Sequence, residues 1–204
     1  LIFLIAGYIL SQFYRAFLAV LAPVLKAEVG ADADDLSRAL GLWFLAFALM
    51  QIPIGEGLDR FGPRRVVALM LGLFGAGGAL AFAQATTPFG INVAMVLIGI
   101  GCAPVLMGSY YIYARIYSPA VFGTLAGATV GIGSLGNIAG SAPLAWALEK
   151  FGWRETVTGF AVLTLLIALA ILVLVKDPPR MEPRGARRGS VLDILKMKSL
   201  WLIL

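Results

Sequence analysis

The sequence predicts an all-α polytopic membrane helix bundle of six transmembrane helices, arranged as two inverted triplets (3+3) and followed by the start of a seventh. Three observations predict it. Apolar residues make up 60% of the chain and charged ones 13%, against about 25% charged in soluble domains. Six stretches approach or exceed the roughly 20 apolar residues that a bilayer-crossing helix needs: 1 to 25, 38 to 55, 66 to 85, 91 to 113, 121 to 147 and 156 to 175. Finally, the junction after the second stretch recurs 90 residues later, after the fifth.

The first stretch carries Gln12, Tyr14 and Arg15 and has no basic leader, so it reads as a span rather than a cleaved signal. The links between spans are short and made of charged or chain-turning residues: Ala31 to Asp35, Thr86 to Gly90, and Ser118-Pro119. Short links put consecutive helices side by side. From Lys176 to Ser190, Pro178, Pro179, Pro183, Gly185 and Gly189 exclude regular structure, and Val191 to Lys198 reads as a short amphipathic surface helix. The expected organisation is a bundle over 1-175, a linker over 176-198, and the start of a seventh span over 199-204. The chain opens on Leu1 and ends inside an apolar run, so the functional protein is expected to be longer.

The net charge of +5 lies in short loops, where it reports orientation rather than affinity for nucleic acid. Eleven Lys and Arg residues fall on the side of the 176-198 loop and four on the other, with Arg15 inside a span. The amino terminus and that loop are therefore expected in the cytoplasm, with the bundle in a bacterial inner membrane. The single Cys102 excludes an internal disulfide, while the absence of His and of a phosphate-binding loop gives enzymology no support. No cofactor and no metal site is expected.

The repeat aligns Pro53 to Val67 on Pro143 to Val157 without gaps, and the pairs Asp59/Glu149 and Arg60/Lys150 keep their charge signs. Three crossings separate the two copies, so they must face opposite sides of the membrane. This is the inverted arrangement of carriers that alternate access around a central site. The competing reading is chance similarity between two polar junctions.

The first copy contains Gly55-Glu-Gly-Leu-Asp59-Arg60-Phe-Gly62-Pro-Arg64-Arg65. Glycine permits a tight reversal there, and Asp59 needs a partner, for which Arg115 at the same end of span four is the candidate. Such a pair would act as a bistable latch rather than as a source of stability. The loop resembles the signature of the major facilitator superfamily: Gly, three residues, Asp, a basic residue, one residue, Gly, then two basic residues. Pro63 departs from it by being unusually rigid. The resemblance implies the amino-terminal half of a 12-helix carrier and a conformational gate of Gly55, Asp59, Arg60, Gly62, Arg64, Arg65 and Arg115. It also implies contact between Asp59 and a carboxy-terminal half. Setting topology is an alternative role for the three arginines.

An ionisable residue inside a span is costly and marks function. Arg15 stands on one face of span one with Tyr8, Ser11 and Gln12, and its fork suits a carboxylate or phosphate. The alternatives are snorkelling to the surface or a structural pairing. Met107, Tyr110 and Tyr111 of span four join the substrate-binding candidates, while Tyr113 and Tyr117 read as an interfacial aromatic belt. Asn137 in glycine-rich span five is either an interhelical hydrogen bond or a cavity group, and the glycines themselves suit a helix that moves against the other half. Spans three and six read as lipid-facing. The expected partners are the lipid bilayer, a small-molecule substrate and the second half-carrier. The expected activity is secondary transport of a small organic or inorganic anion by alternating access. The alternatives are a non-transporting subunit derived from such a carrier and, third, a metal-ion importer.

Overall fold

The computed structural model describes residues 1–179, and among these it contains six helices long and apolar enough to cross a membrane. They are α1 (Ile2–Glu28), α2 (Ala33–Phe61), α3 (Pro63–Ala83), α4 (Pro88–Ile116), α5 (Pro119–Phe151) and α6 (Trp153–Leu174). The amphipathic helix expected at 191-198 and the seventh span expected from Ser199 lie outside the described residues. Each helix is longer than its apolar stretch, because polar caps and first turns add to it. Asp32 shows this at α2: its carboxylate accepts the Asp35 N–H at 2.8 Å, and Asp35 returns a bond to the Asp32 N–H. That capping box satisfies two helix-end donors, and the Asp35 N–H holds the Asp32 carboxyl below its ordinary range.

Two of the links are single glycines. Gly62 joins α2 to α3 with φ 87° and ψ 152°, and Gly152 joins α5 to α6 with φ 84° and ψ 159°. Side chains other than glycine's rarely adopt that region. The two copies of the sequence repeat thus share one backbone conformation at equivalent positions. They also lie at opposite ends of the bundle. Gly152 caps the start of α6, and Asp177, just beyond that helix's far end, lies against Gly62; 22 residues of helix span about 33 Å.

The continuous span read at 121 to 147 is broken in the structure. α5 runs as Pro119–Gly133, Leu135–Ala139 and Ala142–Phe151. Ser134 and Ser141 turn their hydroxyls onto the Val130 and Ile138 carbonyls, offering the backbone an alternative to the helical ladder. Pro143 starts the last piece, where its missing N–H costs nothing. α3 carries a π-helical turn over Leu71–Ala76.

Small residues set the helix spacing. A methyl on Gly101 of α4 would fall on the backbone nitrogen of Gly75 in α3, and one on Gly136 of α5 would fall on the Ile9 carbonyl oxygen of α1. The α5 glycines therefore divide into two sets. Gly133, Gly136 and Gly140 pack on Tyr8, Ile9 and Ala16 of α1, whereas Gly123, Gly127 and Gly131 have nothing within 4 Å. Only the second set is free for the moving contact that the sequence suggested.

Two further expectations are corrected. α3 is half-buried between α4 and α6 rather than lipid-facing, because its own glycines let both neighbours approach. Tyr113 is fully buried instead of belonging to an interfacial belt; its hydroxyl lies 3.0 Å from Thr129 Oγ1 of α5, which gives the phenol an apolar site with one polar partner. Around α1, Phe13, Tyr14 and Phe17 pack with Trp43, Phe82 and Trp153, and Tyr14 meets Thr164 Oγ1 of α6 at 2.8 Å.

Candidate functional site

Asp59 sits in the last turn of α2, inside the helix rather than beyond its end. Its Oδ1 accepts the Tyr111 hydroxyl at 3.0 Å and the Arg115 Nη2 at 3.4 Å. The Arg115 guanidinium also lies over the Tyr111 ring, 3.7 Å from its centroid. Tyr111, placed by sequence among the substrate contacts, thus has its hydroxyl committed to Asp59. The carboxylate remains 69% exposed. An exposed pair of this kind contributes about 0.2–1 kcal/mol, too little to hold the fold and little enough to be exchanged for another partner.

Beside it, Gly62 is needed for its backbone and for the space it leaves. A methyl there would stand 2.9 Å from the carboxyl carbon of Asp177. Asp177 Oδ1 accepts the Arg64 N–H at 2.8 Å, so the start of α3 is capped by a residue that follows α6. The side chains of the motif's arginines do not join Asp59. Arg60 lies over Phe61 at 5.7 Å, Arg65 is exposed, and Arg64 is half-buried with Nε unpartnered. Gly55 has open space around it. Replacing Asp177 with Ala is expected to cost about 1 kcal/mol, as for other lost N-caps. A lower thermal midpoint of the purified protein would report it, with Asp177→Asn retaining much of the cap.

The polar face of α1 is formed as its spacing requires. Gln12 Nε2 donates to the Tyr8 hydroxyl at 3.2 Å, and Ser11 is buried. Arg15 is half-buried between two rings of α2, 5.5 Å from the Trp43 centroid and 5.6 Å from that of Phe44. Among the described residues it has no carboxylate partner and no hydrogen-bond acceptor, and its Nε is buried and unpartnered. Gln12 Oε1 and Trp43 Nε1 are likewise buried without partners. A cluster of polar atoms this poorly satisfied calls for an explanation.

The remaining candidates spread outward. Tyr110 packs on Phe122 and Tyr113, Met107 packs with Ile54 and Leu58, and Asn137 is exposed with no side-chain hydrogen bond among the described residues. Sequence reasoning missed Trp43, Phe44 and Asp177. A tryptophan in mid-span was a visible signal; which helix Arg15 would face was not.

Six membrane-length helices in inverted triplets, with an acid–base cluster at one turn and a guanidinium within a span that has no partner among the described residues, make up the architecture of a polytopic membrane protein. The profile of the Major Facilitator Superfamily matches residues 4–204, and the chain belongs to that family. It is 23% identical to a probable galactarate/D-glucarate transporter of Bacillus subtilis over 81% of the chain and 38% of the relative. It is 23% identical to a probable sulfoacetate transporter of Cupriavidus necator, over 95% and 47%. It is 28% identical to a 4-hydroxybenzoate transporter of Pseudomonas putida, over 81% and 37%. The chain thus spans less than half the length of these relatives.

Proposed function

We propose that the chain is one half of an alternating-access secondary transporter for small anions, with Arg15 as the anion contact. The carrying observation is the half-buried guanidinium, which has neither carboxylate nor hydrogen-bond acceptor among the described residues. Leaving a charge unpaired inside a span is expensive, and an anion that comes and goes accounts for the lack of a fixed partner among the described residues. The names of the three relatives, each of an organic-acid transporter, support the same charge sign, while the name of a further relative, a methyl viologen resistance protein of Salmonella typhimurium, points to a cation. The excess of basic residues on the Gly62 side supports a cytoplasmic position for that face and for the amino terminus.

The Asp59–Tyr111–Arg115 cluster serves as the latch in this reading, closing one face in one state and releasing it in the other. Asp59→Asn keeps the side chain's size while removing its charge, and is expected to slow turnover by up to about fivefold with solute affinity retained. Rate and binding measured separately on the full-length carrier check this.

The test of the charge sign is competition. Full-length carrier in proteoliposomes is screened for solutes whose entry is driven by an imposed gradient, and each transported solute is challenged with anionic, neutral and cationic competitors. Competition by anions alone is expected. Equal competition by organic cations overturns the anion assignment. Absence of flux for every solute, with stable co-purification in a larger assembly, favours a non-transporting subunit instead.

A further inference from the structure

The surroundings of Arg15 carry information about the body of the solute as well as its charge. From Ala39 to Met50, α2 contains no hydroxyl, amide or charged side chain. Instead it presents three rings to one another. Trp43 and Phe47 stack with centroids 5.2 Å apart and planes inclined by 17°, and Phe44 meets Trp43 edge-on at 5.0 Å. Trp43 is fully buried and braces the group, while Phe44 is 44% exposed beside the guanidinium. The next polar side chain on this helix, Gln51, has its amide committed to the Phe47 carbonyl at 3.0 Å.

Such a wall discriminates. A polyhydroxylated acid would find only the unpartnered Gln12 Oε1 and Trp43 Nε1 near Arg15, and its remaining hydroxyls would face hydrocarbon, at the cost of unmade hydrogen bonds. A flat ring loses nothing there and gains an offset or edge-on contact with Phe44. Arg15, aligned beside the same ring, would reach a carboxylate carried at the edge of that flat body.

We propose that the solute is an aromatic monocarboxylate and that Phe44 is a specificity-determining residue for it, stacking on the ring while Arg15 holds the carboxylate. This rests on the anion reading and adds the solute's shape. Its stated competitor is a purely local role for Phe44, in which the ring only steadies the Arg15 rotamer.

The experiment uses full-length carrier in nanodiscs and equilibrium binding of radiolabelled benzoate, displaced by unlabelled benzoate, cyclohexanecarboxylate or gluconate. Benzoate is expected to bind at least about tenfold more tightly than gluconate, with cyclohexanecarboxylate between them. Phe44→Leu keeps an apolar side chain without a π-face. It is expected to weaken benzoate about five- to tenfold while leaving gluconate unchanged, and Phe44→Tyr is expected to restore benzoate. Monodispersity and thermal midpoint confirm that each variant is folded. If gluconate binds more tightly than benzoate and needs Arg15, the aromatic proposal falls while the anion reading stands. A steadying role alone predicts equal losses for benzoate and gluconate in Phe44→Leu, and that result also overturns the proposal. If benzoate does not bind, the aromatic proposal falls while the anion reading still rests on the competition screen; if both acids bind unchanged in Arg15→Gln, the proposal and the anion reading fail together.

Discussion

Gly101→Ala is expected to be among the most damaging single methyls that can be added to this bundle. The added carbon would land on the backbone nitrogen of Gly75, with its Cα 2.5 Å away and the Phe74 carbonyl carbon at 2.9 Å. The obstacles are main-chain atoms of the π-helical turn, so no side chain can rotate out of the way; α3 and α4 must separate instead. Overpacking in well-packed interiors costs about 1–3 kcal/mol, occasionally more, and a main-chain obstacle belongs at the upper end. For a chain of this size that lowers the thermal midpoint by roughly 6–12 °C. Gly159→Ala in α6 is the control, because nothing lies within 4 Å of its added methyl. In that helix interior the change is neutral or favourable by up to about 1 kcal/mol. Thermal unfolding of both variants in one detergent decides the matter, and equal midpoints would contradict the close α3–α4 approach.

Arg15→Gln is expected to have the largest effect on transport. Truncating one partner of a desolvated, hydrogen-bonded charge pair costs about 2–5 kcal/mol, which amounts to a loss of at least about 30-fold in solute affinity. Arg15→Lys separates charge from geometry. It preserves the positive charge but loses the planar fork and the ring stacking that Trp43 and Phe44 provide, so an intermediate loss is expected. Initial uptake rates over a range of solute concentrations, taken with the full-length carrier, give both numbers. Unchanged uptake in Arg15→Gln would remove Arg15 from the solute site.

Much of this architecture was legible because a bilayer makes sequence unusually explicit. Backbone groups in lipid must bond internally, so apolar length alone marks all six helices, and loop charges supply an orientation. The repeat was legible too: it aligned Gly62 on Gly152 before their shared backbone conformation was visible. What one strand of text does not contain is which faces meet. Arg15 was evident as an outlier, yet its lodging between Trp43 and Phe44 depends on the relative rotation of α1 and α2, which the spacing along either helix leaves undetermined. The bond from Arg64 to Asp177 joins residues 113 positions apart, and nothing local to Asp177 announces it. Tyr111 and Arg115 share a stripe four residues apart, so once Arg115 was a partner for Asp59 the tyrosine could have been drawn in as well. The breaks in α5 reflect the competition of Ser134 and Ser141 for backbone carbonyls, which hydropathy does not register.

The two glycine turns look alike but are fastened differently. At Gly152 the nearby carboxylate is that of Glu155, three residues along the same chain segment, and it travels with the turn wherever the turn goes. At Gly62 the carboxylate arrives from beyond α6 and can be left behind when that helix shifts. A symmetric pair of elbows therefore has one permanent rivet and one detachable clasp. If α6 shifts during transport, the play is expected at the Gly62 elbow, so a crosslink from the Asp177 segment to the α3 start is expected to stiffen the molecule more than an equivalent staple within the Gly152 elbow.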